Sequence, residues 1–112
     1  MGVAGKDTYG SFTATDASGN VYVTGRTQGG LDGNTLKGIT DLFLTKYDAN
    51  GAKLYTKQMG VAGAYTSGNS TATDVYGNVF VTGSTDGGLD GNTLTGTYDF
   101  FLMKYNSAGT KQ

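Results

Sequence analysis

The chain has 112 residues, eight Lys and Arg against nine Asp and Glu, and a net charge of −1 at pH 7. That balance lacks the clustered positive charge needed to neutralise phosphates, so no nucleic-acid partner is expected. Without cysteine or histidine, disulfides, thiolate metal sites and the common nucleophile–base pairs are excluded.

Twenty glycines and no proline accompany eight Tyr and five Phe. Disordered chains are poor in aromatic and β-branched residues, so this balance reads as β-structure punctuated by turns. There is no run of about 18 apolar residues and no signal-peptide pattern, so no membrane partner is expected and the compartment is left open.

In chain order, the first predicted strand is Ser11 to Asp16, with Phe12 and Ala14 on one face and Thr13 and Thr15 on the other. Its small residues suit a strand packed closely on both sides. A turn at Ala17-Ser18-Gly19-Asn20 follows, where Gly and Asn adopt positive φ at low cost. The second strand is Val21 to Thr27, alternating and β-branched, interrupted by Gly25. A glycine inside a strand marks a bulge or a close backbone approach.

Gln28 to Thr40 is long for a hairpin connection but returns almost unchanged later in the chain, which implies an ordered loop anchored by Leu31 and Leu36. The third strand, Leu42 to Tyr47, is apolar on both alternations and is expected to be covered on both faces. After a turn at Asp48 to Gly51 comes Lys53 to Met59. Its lysines suit an outer edge, where charge discourages stray pairing.

The whole pattern then repeats. Asp16 to Thr27 returns as Asp74 to Thr85, 58 residues on, and the opening MGVAG returns at residues 59–63. A period of this length carrying strand signals marks a repeat architecture. The units are 1–58 and 59–112, and the second lacks the counterpart of Tyr55-Thr56-Lys57-Gln58. Such a boundary is expected of an excised or designed fragment.

Four antiparallel strands per unit, small inside and charged outside, describe a propeller blade. The pattern D-x-x-G-N-V-Y/F-V-T-G-x-T, followed by D-x-F-L-x-K-Y and a glycine turn, resembles the bacterial SBBP-type β-propeller repeat over essentially the whole chain, twice. The resemblance implies an all-β fold of two four-stranded blades. It implies little about chemistry, because the family is known as a repeat and not as an enzyme class; its members are often extracytoplasmic. One departure is Tyr55, where the family often carries Trp.

Two blades leave two terminal faces uncovered, and exposed apolar faces of that size mark association surfaces. The expected partner is a further copy of the same chain, through Met1, Val3, Phe43, Tyr47, Phe101, Tyr105 and Gln112. Head and tail come from one repeat, so the contact is heterologous and closes into a ring if the rotation allows. Propellers hold about four to eight blades. A tetramer with eight blades is favoured, then a trimer with six. The interrupted fourth strand of the second unit is expected to be completed by the start of a neighbouring chain.

The function expected is therefore structural, a non-catalytic self-assembling scaffold without cofactors. The alternative is a ligand-binding propeller holding carbohydrate or calcium at the two GGLDGNTL loops. Asp32, Asn34, Asp86, Asp90 and Asn92 offer oxygens suited to calcium, but the EF-type spacing and its terminal bidentate Glu are missing. Turns with Asx hydrogen bonds explain the same residues. Asp16, Asp74, Asp41 and Asp99 recur in both units, which favours capping of backbone N–H groups over catalysis. Lys46 and Lys104 are expected to pair with nearby aspartates.

Overall fold

The computed structural model describes residues 1–112. β1 (Thr8–Thr15), β2 (Val21–Thr27), β3 (Asp41–Tyr47) and β4 (Lys53–Met59) form an antiparallel sheet in that order; β5 (Thr66–Thr73), β6 (Val79–Thr85) and β7 (Asp99–Tyr105) form a second. A short 3-10 turn spans Leu89–Gly91. The predicted bounds of β2 and β4 match those found, and β4 lies at an edge of its sheet, with β1 at the other.

Gly25 holds the register of the first sheet. The β1–β2 ladder shifts between Gly10 and Phe12, opposite Gly25, and a Cβ on Gly25 would lie 1.9 Å from the Tyr9 carbonyl oxygen. Gly83 repeats both features against Ser67. The glycine permits a backbone approach that any side chain would block.

The turn after β1 is held by Asp16, whose carboxylate accepts from the backbone N–H groups of Ser18 and Asn20 and from the Tyr22 hydroxyl at 3.0 Å. Gly19 takes φ 82° there. Asp74 caps the equivalent turn through Tyr76 and Asn78.

The two sheets stack on each other. Thr66 N–H donates to Thr40 O at 2.9 Å, and the Thr73 hydroxyl donates at 2.8 Å to the carbonyl of Thr15, its repeat-equivalent. The core lies between the sheets. Tyr22, Leu42 and Leu44 come from the first, and Val79, Val81, Leu89, Met103 and Tyr105 from the second.

This stacking corrects two expectations. β3 is buried on both alternations, but β7 is covered on one only: Phe100 is 89% and Leu102 64% exposed. β1 is not packed on both sides either, and Phe12 is half exposed, whereas its counterpart β5 lies against β1, β2 and β3. Strands at the same repeat position differ in burial because each sheet has its neighbour on one side only.

Candidate functional site

The internal junction supplies the template for the outer faces. Across it, Tyr22, Leu42 and Leu44 meet Val79, Val81, Met103 and Tyr105. The repeat places Phe80, Phe100 and Leu102 at the positions of the first group, on the open side of the second sheet. It places Val21, Val23, Thr45 and Tyr47 at the positions of the second group, on the far side of the first sheet. By repeat position the chain carries a second copy of each half of its own core, exposed at Phe100 and Leu102 and partly covered at Val21, Val23 and Tyr47.

On the first sheet's far side, Met1, Thr8, Gly10, Val23, Phe43, Thr45 and Tyr47 line a groove of about 140 Å³. Met1 is 57% exposed, with Sδ 3.9 Å from the Thr45 hydroxyl. Val3 is half-buried against Gly29, and Phe43 is nearly covered within its own sheet.

On β7 the structure places Phe101 and Tyr105 toward the first sheet, inside the chain. The open alternation is the other one, with Phe100 and Leu102. Alternation along a strand defines two faces but not which of them meets the preceding sheet, so the residues alone did not single out this pair. Gln112 adds to the edge of β7 through its backbone N–H, which donates to Lys104 O at 2.8 Å.

The two GGLDGNTL loops are closed by their own contacts. Asp32 pairs with Lys53 at 2.6 Å and accepts from the Thr56 hydroxyl; Asp90 pairs with Lys111 at 2.5 Å. Both aspartates sit in the left-handed region, at φ 50° and 55°. The bond from Lys53, with that from Thr56, holds the Asp32 carboxyl below its ordinary value. Asn34 donates to Leu31 O and Thr56 O, Asn92 donates to Leu89 O, and Asp86 accepts from the Tyr65 N–H. A cation at either loop would have to displace a lysine, and no group of three acidic side chains gathers anywhere in the chain.

Asp41 is fully buried and takes three donors: Lys37 N–H and Gly38 N–H at 2.8 Å each, and Gln58 Nε2 at 2.9 Å. Asp99 receives the equivalent backbone pair from Thr95 and Gly96, which holds its carboxyl below its ordinary value. Lys46 departs from expectation. It meets no aspartate, donating instead to Ser107 O of the second unit at 3.0 Å while lying near the rings of Tyr22 and Tyr55. Asp16 and Asp74 line the same hollow, but the ammonium is bonded to the Ser107 carbonyl instead.

Comparison with known sequences decides what these sheets are. The beta-propeller repeat, SBBP, matches residues 1–32 and 54–90. The chain belongs to the beta-propeller repeat family. β1–β4 and β5–β7 are thus antiparallel sheets of a chain built from that repeat. Among curated proteins, the chain is similar to the regulatory protein FlaEY of Caulobacter vibrioides, at 33% identity over 114 residues. That match covers 89% of this chain and 12% of the relative, so the chain spans a small part of the protein it resembles.

Proposed function

We propose that this two-blade propeller segment is a structural scaffold that associates head to tail with further copies of itself into a closed ring. The tail face of one chain (Phe80, Phe100, Leu102) seats on the head face of the next (Met1, Val21, Val23, Thr45, Tyr47). Eight blades from four chains is the favoured ring, with six from three chains next. No catalysis and no cofactor enter this reading.

The observation that supports it is the junction inside the chain, where side chains at the same repeat positions already form a closed apolar core. A face of this kind left in water is costly, since apolar burial contributes about 25 cal/mol per Å². An isologous dimer would set like against like. The heterologous contact instead repeats a packing that the chain makes once already.

Two interface variants test the direction of assembly. Leu102→Asp disables the tail and Val23→Asp the head, and each alone should give a chain of monomer mass that stays folded by circular dichroism. Mixed one to one, they should form a heterodimer through the one intact head–tail pair and nothing larger. Homodimers of either variant would contradict the reading.

A further inference from the structure

A hollow of about 330 Å³ lies across the junction of the two sheets, at the end where β2 and β6 finish and β3, β5 and β7 begin. Its seven lining residues share one property. Each differs from its counterpart 58 residues away, although most positions of the repeat are identical. Arg26 corresponds to Ser84, Thr40 to Tyr98 and Gln28 to Asp86, while Tyr65 and Ser67 stand where the first unit has Asp7 and Tyr9. Exposure alone does not account for this. Thr35 and Thr93 are exposed in both units and identical, whereas Thr40 is only 3% exposed and changes. The repeat keeps its frame and varies this lining.

The lining is polar, and none of its side chains hydrogen-bonds within the protein. Arg26 is the one arginine of the chain. Its guanidinium carbon lies 4.7 Å from the centre of the ring of Tyr9, its partner across the β1–β2 pair. It meets no carboxylate, since the two ion pairs belong to Lys53 and Lys111. Stacking on a ring fixes the plane of the guanidinium and leaves the N–H groups on its edge free to donate. Thr40 is buried, yet its hydroxyl bonds to no protein group and borders the hollow. Ser67, Ser84, Tyr65 and Tyr98 add hydroxyls around it, with the two tyrosines about half exposed.

We infer that this hollow is a binding site for a small acidic sugar, a ring bearing one carboxylate and several hydroxyls. Arg26 takes the carboxylate with two parallel N–H groups. Hydroxyls both donate and accept, so Thr40, Ser67 and Ser84 match the hydroxyls of the sugar, and Tyr65 and Tyr98 offer aromatic faces with polar tips. One guanidinium balances one negative charge. A phosphate dianion would bring a second charge toward Asp86, whose carboxylate accepts from the Tyr65 N–H at 2.6 Å. The volume is at the small end of ligand sites, about 300–1,000 Å³, and suits a single ring better than a long chain. The GGLDGNTL loops differ in kind, because their aspartates are already paired with lysines. The hollow is made by one chain from residues outside the proposed stacking faces, so it does not depend on the ring forming.

The test titrates methyl β-glucuronide into the full chain and follows backbone amide and arginine Nε–H resonances. The Arg26 Nε–H and the Ser67 amide should shift saturably. Methyl β-glucoside, with a hydroxymethyl group in place of the carboxylate, and acetate, with no ring, should each bind about tenfold more weakly. Arg26→Lys keeps the charge without the planar fork and should lose about as much, with circular dichroism unchanged because the position is exposed. Tyr98→Thr restores the residue of the first unit and should weaken glucuronide binding while leaving that of acetate as it was. Equal binding of the glucoside or of acetate would overturn the inference. So would tighter binding of inorganic phosphate, undiminished binding by Arg26→Lys, or no saturable shift at about 10 mM glucuronide. Oligomer mass enters none of these readouts, so failure here is distinct from failure of the ring.

Discussion

Gln58 Nε2 donates to the buried carboxylate of Asp41 at 2.9 Å. This bond ties the edge strand β4 to the start of β3 and to the loop between β2 and β3, since Leu31 N–H and Gly29 O meet the same amide. Gln58→Ala should destabilise the chain by about 2–4 kcal/mol, because each buried polar group left without a partner costs about 1–3 kcal/mol. Urea denaturation followed by circular dichroism measures it. A loss below 0.5 kcal/mol, about the effect of an ordinary surface substitution, would show that water replaces the amide without penalty.

Leu44 and Leu102 occupy the same repeat position, yet one is fully buried and the other 64% exposed. Leu44→Ala should cost about 2–5 kcal/mol, the range for a leucine removed from a packed core. Leu102→Ala should leave the fold of the single chain nearly unchanged while weakening association. Thermal melts at low and high protein concentration separate the two effects. Equal losses that do not vary with concentration would count against Leu102 lying at an association face.

Much of this fold could be read in the residues. Gly25 marked its bulge and close approach, the lysines of β4 marked an edge, and Leu31 marked an anchor that is 1% exposed. These features are local, and each follows from backbone geometry or alternation over a few residues. The covered side of β7 depends instead on how one blade stacks on the next, a relation between units that share one pattern. The pairing of Gln58 with Asp41 was hidden for another reason. A glutamine in an edge strand looks like surface until the loop that buries it is in place. The partner of Lys46 lies 61 residues away, at Ser107, and no spacing rule connects them.

The charged groups fix the pH range of stability. Burial pushes the Asp16 carboxyl up, but bonds from Asn20, Tyr22 and Ser18 together outweigh it and hold the group below its ordinary 3.8. Asp32 is held down by Lys53 and Thr56, and Asp74 by Asn78. The unfolded chain therefore takes up protons before the native one does. This stabilisation is fully present above pH 3.8 and is lost as the pH falls below it.

At the alkaline end, burial pushes the hydroxyls of Tyr55 and Tyr105 up to about 12 from 10. The unfolded chain loses those protons first, so stability holds below pH 10 and declines as the pH approaches 12. Melting temperature against pH should show a plateau with a fall on each side. Asp32→Asn should lower the plateau and make the acid limb shallower. Stability that rises on acidification below pH 4 would reverse the sign worked out here.

The most direct measurement is the mass of the native chain in solution by light scattering, repeated on dilution into the micromolar range. The head-to-tail account predicts a single species of four times the 11.6 kDa chain, or three times if the ring has six blades. A cooperatively folded species of 11.6 kDa that persists across the dilution series would contradict it.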